Sequence, residues 1–391
     1  MQPQRLRSFA IAQDEEKHLA HRPWPIAPGP FLPAVAARPT LLYTYLSPSS
    51  FVMDDLAALD AAFDVRPFHF DAVQAKSAAG LARLWTRQAA WLARHARRGA
   101  VHYGWFADHH LALPSLLSPR IPLAVALGGF EANTLPEIGY GVMTTWRAPL
   151  ARLVLRRAAL LLPVAAALLD AENRFGAFPN VLRNGVRAHV PGLATAAQVL
   201  PTGYDTSAWP MGLGKESGER PPSVLTVALV NDARGVRLKG LDLLVAAARQ
   251  MPDVPFTVVG VGAAVAATLG APPNVRLLPA VPRAALATHY ADASVFALFS
   301  RSEGLPNVVA EAMACGAVPV VSAVGGMPGL VGDTGEVVET PHPDDLARAL
   351  RRALAAPPER RRAARARIAT HFRADARRAA LVEALRTIAR P

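Results

Sequence analysis

The chain has 391 residues, 51% of them hydrophobic, and a formal net charge of +12. That length suits about two domains with filled cores, and the apolar content excludes a disordered protein. A single cysteine, Cys315, excludes an intrachain disulfide framework and points to a reducing compartment.

Most of the basic residues are arginines, with lysine only at 17, 76, 215 and 239. No zinc spacing, basic tail or aromatic–basic RNA motif accompanies them, so nucleic acid is not the expected partner. Asp14, Glu15 and Glu16 break the N-terminal apolar pattern, which argues against a secretory signal. The longest nearly apolar stretch, Ala158 to Leu169, is too short to cross a bilayer and contains Pro163. The expected location is the cytoplasm, or the inner face of a membrane as a peripheral protein.

Residues 1–38, crowded with prolines, read as an irregular extension. Thr40 to Leu46 reads as a strand, Val52 to Phe63 as a helix and Val65 to Phe70 as a second strand, the rhythm of a parallel doubly wound sheet. Ala78 to Arg98 reads as a helix with Arg83, Arg87, Arg94 and Arg98 within about 60° of one another. That face suits an anionic membrane surface, and equally the solvated outside of a Rossmann helix. Gly99 to Trp105 and Ile121 to Leu127 read as strands, the second ending at Gly128-Gly129-Phe130-Glu131. In an open α/β sheet such a turn lies at the strands' carboxyl ends, where ligands bind. His102, His109 and His110 lack partners at metal-ligand spacing and read as structural hydrogen-bonders. Trp146 to Arg157 reads as a helix, with strands at Leu160 to Ala166 and Gln198 to Pro201.

Pro210 to Ser223 is a glycine-, proline- and serine-rich linker, so a domain boundary is expected near residue 210. Beyond it, Val224 to Val230, Phe256 to Gly262, Val275 to Val281 and Ser294 to Phe299 read as strands. Asn231 to Gly240 reads as a loop carrying Arg234, Arg237 and Lys239. Ser300 to Asn307 is a turn-rich loop, followed by a helix over Val308 to Cys315 and a strand over Val318 to Ser322. A helix that opens just after a strand points unpaired amides and partial positive charge into the crevice. Glu303 lies in that loop, and Glu311 one turn into the helix leans back toward its mouth. Amides suit a diphosphate and carboxylates suit sugar hydroxyls, which together describe a nucleotide-sugar site.

The segment EGLPNVVAEAMACGAVPVVSAVGG, with Glu303 and Glu311 eight positions apart and Gly325-Gly326 in place, resembles the donor signature of glycosyltransferase family 4. The resemblance covers roughly residues 100–390. It implies a GT-B fold: two Rossmann-like doubly wound domains facing across a cleft. The expected limits are an acceptor domain over 39–209, a donor domain over 210–371, and a helix over 372–391 that crosses back to the first domain. The resemblance also implies retaining transfer from a nucleotide-diphosphate sugar to a glycan, lipid or small-molecule hydroxyl, as in cell-envelope or exopolysaccharide synthesis. Epimerisation or hydrolysis of a nucleotide sugar, or non-catalytic sugar-nucleotide or membrane binding, are the alternatives.

By the same resemblance, Lys239 and Arg237, with Arg234 as second choice, clamp the diphosphate beside the amides near Gly304 and Leu305. Pro306 and Asn307 complete that loop, Glu303 holds the transferred sugar, Glu311 the ribose, and Val281 the base. Gly128, Gly129 and Glu131 stand on the acceptor or sugar side, where other members carry a histidine. No Asp-x-Asp occurs, so no metal and no cofactor is expected, and the cations are expected to replace a metal at the leaving group. The Thr202-Gly203-Tyr204-Asp205 turn resembles the family's passage into the second domain, with the glycine allowing a bend and the aspartate anchoring the hinge.

Overall fold

The computed structural model describes residues 38–73, 75, 77–211 and 220–390. The first 37 positions and the centre of the 210–223 linker lie outside the described residues.

The strands of the first unit are β1 (Thr40–Tyr45), β2 (Asp64–His69), β3 (Gly99–Trp105), β4 (Leu123–Leu127) and β5 (Leu160–Pro163). They pair in the order β2-β1-β3-β4-β5, all parallel. A short antiparallel hairpin follows, β6 (Ala171–Asn173) with β7 (Leu182–Asn184). The second unit holds β8 (Val224–Val230), β9 (Phe256–Val261), β10 (Val275–Leu278), β11 (Val295–Leu298), β12 (Val318–Ser322) and β13 (Glu336–Val338). Their order is β10-β9-β8-β11-β12-β13, again all parallel. Every residue of β4 and β11 is buried, because helices cover both faces; such strands therefore read as continuous apolar runs rather than alternations. The strand order reverses at β1 in one sheet and at β8 in the other, which places a crevice at each sheet's carboxyl end. This is the GT-B architecture of two Rossmann-like domains.

Three local expectations change. Asn231 to Gly240 is a helix, Ala233–Lys239, rather than a loop. Asp232 caps it by accepting from the Gly235 amide at 2.7 Å, and Gly240 ends it in the left-handed region at φ 66°. Gln198 to Pro201 forms no strand; the neighbouring Ala197 makes only an isolated bridge to Leu161. The arginine-rich stretch Arg360 to Arg390, which reads from the sequence as one long helical tail, is two helices, Pro358–His371 and Ala374–Ile388. The break falls where the Phe372 carbonyl accepts from the Tyr204 amide at 2.7 Å and the Ala374 amide donates back to the Tyr204 carbonyl at 3.2 Å. Backbone groups diverted to a second chain segment cannot also carry the helix. Gly203 is required there by close approach: a Cβ on it would lie 2.7 Å from the Ala374 Cα.

Each unit has its own core, but segments trade places between them. Leu381, Ala384 and Leu385 from the last helix are buried in the first core. Phe175, from the loop joining β6 to β7, is buried in the second. Arg377 fixes the returning helix: its Nη2 lies 2.9 Å from Asp55 Oδ2, and Nη1 donates to the Leu200 and Pro201 carbonyls at 2.8 and 2.9 Å. Asp55 also accepts from Tyr103 Oη at 2.6 Å and Trp105 Nε1 at 2.8 Å, so the buried charge is fully partnered.

Candidate functional site

The helix after β11 runs Asn307–Ala314, with Pro306 at its N-cap rather than in its first turn. No side chain caps it, so the leading amides are left for a ligand. The loop before it is held by main chain and by one side chain from the first domain. The Gly304 carbonyl accepts from the Gly326 amide at 2.6 Å, and Asn133 Nδ2 from the first domain donates to the Glu303 carbonyl at 3.0 Å. A Cβ on Gly304 would sit 1.9 Å from the Gly128 carbonyl oxygen, and one on Gly325 would sit 2.1 Å from that of Glu303. The Gly128-Gly129 turn of one domain and the Gly304 loop of the other thus meet main chain to main chain, which only glycine permits.

Charge converges on this loop. Lys239 Nζ lies 2.7 Å from Glu303 Oε1, and Ser300 Oγ donates to the same oxygen at 2.8 Å. Glu311 is buried, accepting from Arg283 Nη2 at 3.0 Å and from Tyr290 Oη at 3.1 Å. Burial pushes its carboxyl above the usual range, with the Arg283 guanidinium opposing. That guanidinium also lies over the Trp209 ring, 5.2 Å from its centroid. Asn307 Oδ1 accepts from Tyr204 Oη of the interdomain passage at 2.8 Å. Leu305 packs against both cores. Val281 lies between β10 and the helix Arg283–Asp292, half-buried against the second core. Lys239, Glu303, Gly304, Gly128 and Gly129 are therefore brought together, with Glu311 one turn further along the helix.

Other expected members stand elsewhere. Arg237 is not beside Lys239. On a helix Arg237 and Lys239 are about 160° apart, so they point to opposite sides. Arg237 Nη2 instead faces Glu137 Oε2 at 3.5 Å, and Arg234 Nη2 donates to the Gly139 carbonyl at 2.8 Å, both on the first domain. Glu131 does not present its carboxylate to a sugar. It is 1% exposed and folds back onto its own turn, accepting from the Gly128 amide at 2.7 Å and the Gly129 amide at 3.3 Å. Asp205 caps Ser207 locally at 2.9 Å, and it is Tyr204 that reaches across the domains. The partners of the two glutamates, Ser300, Asn133, Arg283 and Tyr290, were missed by sequence reasoning. Ser300 opens the loop already singled out and Arg283 follows Val281 by two positions, but nothing in their spacing marks them.

His102 and His110 are buried, and burial pushes both down to about 3, so their rings are neutral. His102 Nε2 pairs with Thr44 Oγ1 at 2.8 Å, and His109 Nδ1 with Asp108 at 2.9 Å. Cys315 is buried, and its thiol is pushed up to about 12, an unreactive environment. Among the described residues no group of three or more His, Cys, Asp or Glu is placed to hold a metal ion.

Two Rossmann-like domains with a glycine-lined, carboxylate-bearing contact between them define a GT-B protein. Residues 226–369, within the second domain, match the family Glycosyl transferases group 1. Relatives include the D-inositol 3-phosphate glycosyltransferase of Segniliparus rotundus, 37% identical over 164 residues, which are 38% of this chain and 36% of that protein. Another is the GDP-mannose-dependent alpha-(1-6)-phosphatidylinositol monomannoside mannosyltransferase of Mycolicibacterium smegmatis, 32% identical over 211 residues, 47% of this chain and 53% of that one. The chain spans between 22% and 53% of the length of these and other such relatives. Among solved structures, sucrose-phosphate synthase from Thermosynechococcus elongatus superposes with a TM-score of 0.66 at 17% identity, covering 90% of this chain and 99% of that one. Anabaena HepE in complex with UDP and glucose gives 0.63 at 16% identity, covering 89% and 99%.

Proposed function

We propose that the chain is a retaining glycosyltransferase that moves a sugar from a nucleotide-diphosphate sugar to a glycan, lipid or small-molecule hydroxyl. The observation that carries this reading is the Lys239–Glu303 pair at 2.7 Å, set before an uncapped helix start with Glu311 one turn along. The leading amides and Lys239 receive the diphosphate and stabilise its charge as the sugar leaves. Glu303, held by Ser300, orients the sugar hydroxyls, and Glu311, held by Arg283 and Tyr290, takes the ribose. Attack comes from the face the phosphate leaves, and that phosphate accepts the acceptor's proton. With the cationic task given to Lys239, turnover in excess EDTA should equal turnover without it; loss of activity on chelation would remove the metal-independent part of the reading.

The test is a panel of UDP-, GDP- and ADP-sugars read by thermal shift and by nucleotide release. At least one donor should raise the melting temperature by mass action. The shift should vanish in Lys239→Ala and in Glu311→Ala, and a shift undiminished in both variants would sink the donor site.

The same proposal includes a cytoplasmic or peripheral location. No helix among the described residues is long and apolar enough to cross a membrane. Arg83, Arg87, Arg94 and Arg98 are all exposed, and Leu116, Leu117 and Trp146 are exposed on the same domain, which supports contact with an anionic bilayer. Co-sedimentation with phosphatidylglycerol vesicles, lost in the quadruple Arg→Ser variant, is the expected outcome.

A further inference from the structure

Tyr204 stands where the chain crosses between the domains, and its hydroxyl reaches Asn307, the first residue of the helix Asn307–Ala314. Its main chain is pinned on the other side, the amide by the Phe372 carbonyl at 2.7 Å and the carbonyl by the Ala374 amide at 3.2 Å. The side chain is buried in the second core. Burial pushes the phenol well above its ordinary range, so it stays protonated and able to donate.

A hydrogen-bond chain with a direction follows. Tyr204 Oη lies 2.6 Å from Thr202 Oγ1 and 2.8 Å from Asn307 Oδ1. A carboxamide oxygen cannot donate, so the phenol proton goes to Asn307 and the Thr202 hydroxyl donates to the phenol oxygen. The Asn307 oxygen is thereby occupied, and its amino group, with two protons, is the end that can serve an anion. Asn307 is only partly buried, and it opens the uncapped helix start described above.

We propose that Tyr204 is a positioning residue for the donor: by holding the Asn307 oxygen it turns the Asn307 amino group toward the phosphate oxygens of a nucleoside diphosphate at the helix start. The inference rests on the transferase reading and adds to its amides and Lys239 a residue from the interdomain passage. Without the phenol hydroxyl the carboxamide is free to turn over and present an oxygen to the anion. The loss is confined to ligands that carry the diphosphate.

Dissociation constants of the whole chain for UDP, GDP and ADP, and for the matching nucleosides as competitors, are read by isothermal titration. Tyr204→Phe should weaken the bound diphosphate at least fivefold and leave the nucleoside constant within twofold. Asn307→Ala should lose as much, and the double variant no more than Asn307→Ala alone, because the two residues act as one unit. Asn307→Asp, which puts an oxygen in place of the amino group, keeps the test open should Tyr204→Phe not fold: it should weaken the diphosphate at least as much as Asn307→Ala and spare the nucleoside. Unchanged diphosphate binding in Tyr204→Phe, equal weakening of nucleoside and diphosphate, or losses that multiply in the double variant would each overturn the proposal alone. A native chain that binds none of the three diphosphates defeats the transferase reading, and this inference with it.

Discussion

Lys239 and Glu303 are 64 positions apart in the chain and 2.7 Å apart in space, and each is the other's charge partner until a ligand arrives. Replacing Lys239 by Ala removes the cation that would meet developing phosphate charge, so kcat/KM should fall by about 100-fold or more. Glu131 gives a different test. Burial pushes its carboxyl up to about 7 from an ordinary 4.5, against two amide donors that favour the ionised form. The native chain thus binds a proton that the unfolded chain releases. That contribution is complete below about 4.5 and is lost as pH rises through about 7. The melting temperature should therefore fall between pH 5 and pH 8 relative to Glu131→Gln, by about 2–4 °C for each kcal/mol lost. Parallel profiles for the two proteins would show that the carboxyl does not titrate there. At this scale the sequence was legible where chemistry restricts the residue type: one lysine among four, placed before a glycine, stood out as a cation, and the structure sets it beside Glu303. It was not legible where direction matters. Arg237 and Lys239 look adjacent in a string, and only the helix shows that they diverge.

Strands buried on both faces were the most readable elements. Gly99–Trp105 and Val224–Val230 have the limits their apolar runs suggest, because a covered strand admits little else. Elements defined by long-range hydrogen bonds were not readable. The break between the last two helices depends on Tyr204, a residue some 170 positions earlier. Glycine roles were half readable. Gly304 and Gly325 were marked by the motif, but not the reason for them, which is backbone contact with Gly128 across the domains for the first and with Glu303 of the same domain for the second. Gly304→Ala should force the Gly128 turn away, since its Cβ would stand 1.9 Å from that carbonyl. Nucleotide affinity in the second domain should change little, while transfer falls at least tenfold and the radius of gyration by small-angle scattering grows. An unchanged radius with full activity would mean that the two loops need not touch.

For the molecule as a whole, the buried Arg377–Asp55 pair joins the last helix to the first among the described residues. Arg377→Ala leaves Asp55 buried without its cation, and urea unfolding should register a loss of about 3–5 kcal/mol. A loss below 1 kcal/mol would mean that water reaches the site readily. The consequence extends to the order in which the protein is made. Domains usually fold one after another as the chain leaves the ribosome. Here the first domain needs Arg377, Leu381 and Leu385, while the second needs Phe175 from the first. The earlier half must wait, incomplete and with apolar surface uncovered, until the helix Ala374–Ile388 has been synthesised. Its exposure to chaperones should therefore persist until that helix has emerged.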